Sequence, residues 1–114
     1  MNNFTVFKKN SIKMVEEPVV NGEKVKGFSL GVIGEEGNKN NFGCGLGNMK
    51  KNGKISFEVL YNEVSIILKG IFEVKIGDEI FFLTEGDVLF MKKGVFATFL
   101  AKTDVETFFV NYPI

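Results

Sequence analysis

The sequence contains no histidine, no tryptophan and no arginine, so all of its basic residues are lysines. Histidine is the commonest metal ligand and the usual general base near neutral pH, and its absence excludes histidine-based metal and triad chemistry. Without arginine, the chain also lacks the planar group that grips carboxylates and phosphates through two parallel hydrogen bonds. An anion site would therefore have to use lysine or backbone N–H groups.

The chain also lacks net charge, paired cysteines and long apolar runs. Its 14 lysines balance 14 acidic residues, which argues against nucleic acid or an anionic membrane as a partner. Cys44 is the single cysteine, and with no histidine to take its proton we expect a small buried residue and not a nucleophile. No leader and no segment of roughly 20 apolar residues is present, so we predict a cytoplasmic protein.

The composition that remains favours a β protein. The 114 residues fit one domain, 1–114, and 45% of them are hydrophobic, which is ordinary for a folded globule. There are 13 Phe, which supply most of the large apolar side chains. The 13 Gly against two Pro indicate many tight turns. We therefore expect a single core built from strands.

Alternating apolar and polar residues place the strands. Residues 71–76 and 79–83 flank Gly77-Asp78, a two-residue connection suited to a II′ β-hairpin turn. Similar apolar runs recur at 25–33, 42–49, 55–60, 64–68, 88–91, 96–100 and 105–112. Regular punctuation by turn residues predicts an all-β barrel or sandwich with its core in 25–112 and at most a turn or two of helix. Within residues 1–20, the runs 4–7 and 12–15 are expected to form outer or edge strands.

Two glycine and carboxylate motifs resemble those of the cupins. Glu63 is followed by six residues and Gly70, and Gly86-Asp87 is followed by five residues and then 92–94, which reads Lys-Lys-Gly. The resemblance covers about half of the chain, and it implies a single-domain cupin-type β-barrel, also called a double-stranded β-helix or jelly roll.

The departures from the cupin motifs concern the metal site. In a metal-binding cupin, the positions of Phe57, Val59 and Ala97 would be histidines, and of the four expected ligands only Glu63 remains. We therefore expect no histidine metal site. A site built from Glu63 and other oxygen ligands is the alternative.

A narrower resemblance involves residues 57–64, 67–70, 86–90, 93–94 and 108–113, which are similar to the EutQ-type cupins of ethanolamine utilisation. That resemblance implies a role in ethanolamine catabolism, beside a bacterial microcompartment, with an acetate kinase-type activity attributed to the family. Mg²⁺ with ATP would be the cofactors of such a kinase, and otherwise none is expected. Asn62 stands where the family typically has Asp, and this loss of acidic residues weakens the case for phosphoryl transfer.

Glu63 and Tyr61 are the candidate catalytic residues. If strand alternation continues from Phe57, both side chains point inward, and a carboxylate inside an apolar barrel should have the raised pKa that suits a general acid or base. The alternative is a structural carboxylate and a packed tyrosine ring. Polar residues on other predicted strands complete the candidate ligand-binding set: Tyr61, Glu63, Ser65, Thr98, Asn48 and Asn111.

Two functions remain open. In the first, the pocket binds a small polar metabolite. In the second, the barrel is a non-enzymatic partner of a microcompartment shell or enzyme, and its interior is filled by Phe57, Val59, Ile66 and Ala97. A packed interior would favour the second function, and an open polar pocket the first. Exposed outer strands and many Phe also predict a homodimer.

Overall fold

A computed structural model of the chain describes residues 3–114, and its regular secondary structure consists almost entirely of short strands. The strands are β1 (Val15–Glu16), β2 (Val19–Val20), β3 (Glu23–Lys24), β4 (Phe28–Val32), β5 (Gly43–Met49), β6 (Lys54–Glu58), β7 (Glu63–Lys69), β8 (Phe72–Ile76), β9 (Glu79–Leu83), β10 (Val88–Met91), β11 (Phe96–Ala101) and β12 (Val105–Asn111). Within residues 3–114, helical structure is limited to α1 (Glu35–Lys39) and a 3-10 turn at Lys9–Ser11. The predicted all-β class is confirmed.

The strands form two main sheets and a small hairpin. One sheet has the order β1-β4-β5-β12-β7-β10 and the other the order β6-β11-β8-β9, while β2 and β3 pair with each other. All pairs are antiparallel. The predicted hairpin at Gly77-Asp78 is confirmed, since Ile76 pairs with Glu79 and Gly77 has φ +60°.

Several predicted boundaries differ from the structure. Residues 4–7 have no regular secondary structure, and 34–38, which reads as a turn cluster, mostly forms α1. The run 55–60 ends as a strand at Glu58, because the chain then crosses from the four-stranded to the six-stranded sheet. Met1 and Asn2, the first residues of the predicted domain, lie outside the described residues.

The core lies between the two sheets. Val74 and Ala97 are fully buried on the four-stranded sheet, and Ile67 and Val105 are almost fully buried on the six-stranded sheet. The ring of Phe99 stacks on Phe57 at 5.7 Å between centroids. Phe57, Phe99 and Ile67 also line the cavity between the sheets, so the core and the cavity share these apolar side chains.

Glycine permits one close approach that the six-stranded sheet requires. A β-carbon on Gly45 of β5 would overlap the carbonyl oxygen of Gly31 on β4. The two strands can therefore pair at this point only because the side chain is missing. The glycine cluster around Cys44 thus serves backbone packing.

No helix within residues 3–114 is long and apolar enough to cross a lipid bilayer.

Candidate functional site

A cavity of about 240 Å³ opens between the two sheets. It is smaller than the roughly 300–1,000 Å³ of sites for drug-sized ligands, so it suits a molecule of a few heavy atoms. Most of its wall is apolar, contributed by Phe28, Leu30, Ile55, Phe57, Val59, Ile67, Phe72, Leu83, Phe99 and Phe109. Phe57 and Val59, which occupy histidine positions of the cupin motif, thus make the site largely apolar.

The polar groups of the cavity come mainly from two neighbouring strands. Glu63 and Ser65 belong to β7, and Thr107 and Asn111 belong to β12; all four line the cavity. In register, Glu63 is the partner of Asn111. Directly opposed residues have β-carbons roughly 4.5–5.5 Å apart, so the carboxyl and the amide form one polar patch in an otherwise apolar wall.

Burial controls the protonation of this patch. Loss of solvent raises the pKa of the Glu63 carboxyl, and a hydrogen bond from Ser65 Oγ to Glu63 Oε2 at 3.2 Å opposes the rise. The neutral carboxylic acid is therefore favoured here more than on the surface. In that form Glu63 can donate a hydrogen bond as well as accept one.

Asn111 carries an unsatisfied acceptor. Its Oδ1 atom is buried and has no hydrogen-bond partner within residues 3–114. Buried polar atoms without a partner are rare in folded proteins, because each one loses its bonds to water. Since Asn111 lines the cavity, a molecule that supplies an N–H or O–H group there would remove this cost.

The sequence analysis missed one element of the site, the β2–β3 hairpin. Val20 and Asn21 at its tip line the cavity, and Asn21 Oδ1 accepts a hydrogen bond from the backbone N–H of Glu58 at 2.7 Å. Asn21 and Gly22 both have positive φ, as a type I′ turn requires. The Asn-Gly dipeptide flanked by Val-Val and Glu-Lys could have revealed this hairpin.

The structure brings four of the six predicted ligand-binding residues to the cavity: Tyr61, Glu63, Ser65 and Asn111. Tyr61 is partly exposed and lies in the connection between β6 and β7, not on a strand. The inward position of Glu63 is therefore not a continuation of the alternation in β6. It follows from the crossing of the chain between the sheets.

Asn48 and Thr98 lie elsewhere. Asn48 follows Gly47, a cavity residue, and so faces the opposite side of β5. Thr98 lies between the buried Ala97 and Phe99, and its hydroxyl is 2.9 Å from that of Ser56 on the outside of the four-stranded sheet. The ligand-binding role that we predicted for these two residues has no support from their positions.

Ile66 also differs from expectation. Ile66 alternates with the cavity residues Ser65 and Ile67, so it faces outward and does not fill the interior. Cys44 is half-buried, and burial raises the pKa of its thiol, which is the opposite of what an activated nucleophile needs.

The donor groups of the cavity do not fit a metal centre. Divalent cations that prefer oxygen are usually held by several carboxylates that converge on one point. The residues that line the cavity include one part-buried carboxyl, Glu63, and one exposed carboxyl, Glu58, together with neutral hydroxyls and amides. No group of three or more His, Cys, Asp or Glu side chains that could hold a metal ion occurs in the described part of the chain. We therefore assign no step to a metal.

Two facing antiparallel sheets around a small cavity define a cupin-type barrel. The fold matches an RmlC-like cupin from Shewanella frigidimarina NCIMB 400 with a TM-score of 0.76 and 16% identity, covering 100% of this chain and 93% of that chain. The chain is thus an all-β protein with the cupin fold.

The particular family follows from the sequence. Residues 5–114 match the family described as ethanolamine utilisation protein EutQ, so the chain belongs to the EutQ family. Solved structures agree. Ethanolamine utilization protein Q from Salmonella typhimurium LT2 has a TM-score of 0.77 and 22% identity over 95% of this chain and 85% of that chain. The Clostridium difficile EutQ protein has a TM-score of 0.76 and 17% identity over 95% and 86%. A search of curated proteins by sequence found no match.

Proposed function

We propose that this cupin binds a small metabolite of ethanolamine utilisation in the cavity between its sheets. The observation that carries the proposal is the Oδ1 atom of Asn111, which is buried without a partner within residues 3–114 and belongs to a residue that lines the cavity and pairs with Glu63. A ligand with N–H or O–H donors satisfies the amide oxygen, and the apolar wall covers the rest of the molecule.

The chemistry of the wall narrows the ligand class. The cavity carries Glu63 and, at its rim, the exposed Glu58, while none of its described lining residues is a lysine. A phosphate or free carboxylate would meet like charge without a cation to balance it. A neutral or positively charged molecule with a short carbon chain, such as a small amino alcohol, meets complementary groups. Ethanolamine belongs to this class, and the family description concerns its utilisation.

An acetate kinase-type activity is the weaker hypothesis. Phosphoryl transfer needs positive charge at the transferred group, supplied either by Mg²⁺ that carboxylates hold or by a lysine side chain. The cavity has no lysine in its described lining. Five lysines instead line a separate, exposed groove: Lys24, Lys26, Lys50, Lys51 and Lys54. Glu63 would then be the catalytic residue, and acetyl phosphate formed from acetate and ATP should disappear in Glu63→Gln.

A structural role at a cytoplasmic microcompartment is the second candidate function. It is supported by apolar side chains exposed on the outside of the six-stranded sheet, among them Val88 and Phe90. Such a surface suits contact with another protein. The metabolite and the structural roles use opposite faces of the same sheet and can be tested separately.

Thermal unfolding with added ethanolamine, acetate or MgATP tests the binding proposal. A ligand that binds only the folded chain adds about 2.7 kcal/mol of stability at 100 times its Kd. We expect ethanolamine to raise the melting temperature of the native chain and to lose this effect in Ser65→Leu, which fills the polar end of the cavity. Ser56→Ala, on the outer surface, is the matched control. Equal shifts in Ser65→Leu and Ser56→Ala, or no shift with ethanolamine, would contradict the proposal.

A further inference from the structure

The exposed groove that adjoins the cavity concentrates positive charge. It has a volume of about 530 Å³, and Val20 and Ile55 line both the groove and the cavity. Five of the 14 lysines of the chain line it: Lys24, Lys26, Lys50, Lys51 and Lys54. Of the 14 acidic residues, Glu23 alone belongs to its described lining. We call it the lysine groove, and its charge is hidden in the neutral balance of the whole chain.

The five lysines keep their charge available for a partner. All five are exposed, and none forms an ion pair with an acidic side chain of the described part of the chain. Asp104 lies beside the groove, but its carboxylate accepts a hydrogen bond from the backbone N–H of Lys51 at 2.9 Å. Like charges gathered in one groove repel one another, so an anionic partner would relieve this repulsion.

One side of the lysine groove is the open edge of β6. This strand is the first of the four-stranded sheet and pairs with β11 alone, and in an antiparallel pair only every second residue bonds to its neighbour. Just before β6, the carbonyl of Gly53 accepts a hydrogen bond from Ala101 at 2.9 Å. Just after it, Val59 donates one to Val95 at 2.8 Å. The odd-numbered residues of β6 therefore bond to β11, and the even-numbered residues turn their backbone groups to the open side.

The backbone groups on this open side are only partly used. Glu58 donates its N–H to Asn21 Oδ1 at 2.7 Å, which shows that the open side faces the β2–β3 hairpin. The backbone N–H and C=O groups of Lys54 and Ser56 have no partner in the described part of the chain. Both residues line the lysine groove, so an extended peptide in the groove meets a row of unpaired donors and acceptors.

We propose that the lysine groove binds an extended, acidic segment of another protein, which adds a strand to the open edge of β6. Backbone hydrogen bonds to Lys54 and Ser56 fix the direction and register of the segment, and its carboxylates meet the lysines on both walls of the groove. The site is distinct from the cavity and does not depend on the metabolite bound there.

The charge of the groove selects this partner over others. Lysines on an exposed edge normally prevent strand pairing, and here they would repel the same edge of a second copy, whereas an acidic strand turns the repulsion into attraction. Nucleic acid fits less well, because the described lining of the groove contains no aromatic side chain on which bases could stack. The alternating backbone groups of β6 also match another peptide backbone.

Fluorescence anisotropy with a labelled peptide of about six residues, alternating glutamate and valine, tests the proposal on the full chain. We expect binding that weakens with added salt, and no binding of the same peptide with lysine in place of glutamate. Lys24→Gln with Lys54→Gln, one change on each wall, should raise the Kd about tenfold. The matched pair Lys92→Gln with Lys93→Gln removes the same charge from an exposed turn outside the groove and should bind like the native chain.

Ser56→Pro tests the strand pairing itself. Proline removes the N–H that points to the open side, and an edge strand tolerates this because β11 does not use that group. Ser56→Ala keeps the N–H and loses the same hydroxyl, so it is the control. We expect Ser56→Pro to raise the Kd about tenfold and Ser56→Ala to bind like the native chain. If thermal unfolding shows that Ser56→Pro does not fold, an acidic peptide methylated at alternate backbone nitrogens replaces it and should bind as weakly.

Several results would overturn the proposal. They are an acidic peptide that does not bind, equal weakening by the Lys92 and Lys93 pair, and a methylated peptide that binds as tightly as the unmodified one. A single-stranded oligonucleotide that binds more tightly than the acidic peptide would also overturn it and assign the groove to nucleic acid.

Discussion

The two walls of the barrel differ in how the strand β7 distributes polar and apolar side chains. The four-stranded sheet follows the usual rule, with Val74 and Phe99 inside and Lys75 and Thr98 outside. On β7 of the six-stranded sheet, Glu63 and Ser65 point into the barrel while Val64 and Ile66 point outward. Both walls contribute to the core, since Ile67 of β7 is also buried. The six-stranded wall differs in having, on the same strand, polar side chains that line the cavity and apolar side chains on the outer surface.

The largest expected effect concerns the four-stranded wall, where inner and outer side chains should differ most in their contribution to stability. Phe99→Ala should lower the free energy of unfolding by about 3–5 kcal/mol, because it removes a buried ring that contacts Phe57 and Phe72. Phe96→Ala on the same strand is the control, since Phe96 is exposed and should lose less than about 0.5 kcal/mol. Urea unfolding measures the free energy of unfolding of both variants. Equal losses would contradict the assignment of Phe99 to the core side of β11 and of Phe96 to its solvent side.

A smaller effect is expected when β7 is given the ordinary alternation. Exchanging the two residues, Val64→Ser with Ser65→Val, should change the free energy of unfolding of the monomer by less than about 1 kcal/mol, because it moves a hydroxyl to the surface and a valine inside. Ethanolamine binding should weaken, because the cavity loses the hydroxyl of Ser65. A loss of several kcal/mol in urea unfolding at low protein concentration would mean that the inverted pattern serves folding.

The smallest expected effect is a dependence of stability on pH. Burial raises the pKa of Glu63 in the folded chain, so the contribution of this group to stability is present below the ordinary carboxyl pKa and is lost as pH rises through the raised value. Glu63→Gln, which resembles the neutral acid, should therefore be more stable than the native chain at neutral pH. The difference should disappear in acid.

Ser65→Ala sharpens this measurement. The hydrogen bond from Ser65 lowers the pKa of Glu63, so its removal should move the transition in stability to higher pH. The same substitution in the Glu63→Gln background should leave the pH profile unchanged. Melting curves between acid and neutral pH check both statements, and a native profile identical to that of Glu63→Gln would place the carboxyl in solvent.

Local patterns were sufficient to predict most of the strands but not the complete site. Alternation around Gly77-Asp78 fixed the β8–β9 hairpin, because turn type and side-chain period are properties of adjacent residues. Alternation from Phe57 also predicted that Tyr61 and Glu63 point inward, and both line the cavity. Residues 59–62 are not in a strand, however, so the position of Glu63 depends on how the chain passes from one sheet to the other and not on the alternation itself.

Polar residues on strands were the least predictable part of the site. Asn48 and Asn111 look alike in the sequence, yet Asn111 faces the cavity and Asn48 faces away. Which face of a strand becomes the inside depends on the sheet that covers it, and that sheet is assembled from distant segments. The turn at Asn21 could be recognised from the sequence, but its position at the cavity could not, since the hydrogen bond that Asn21 accepts from Glu58 joins residues 37 positions apart.

The sequence by itself determined the class of this protein. Its turn glycines and period of two dictate short antiparallel strands, and the lack of histidine removes the usual cupin metal ligands, because both depend only on which residues are present and how they are spaced. Only the tertiary structure decided that β7 and β12 turn polar side chains into the cavity and apolar ones outward. Pairing between strands far apart in the chain fixes that choice, since it sets which face of each strand the opposite sheet covers.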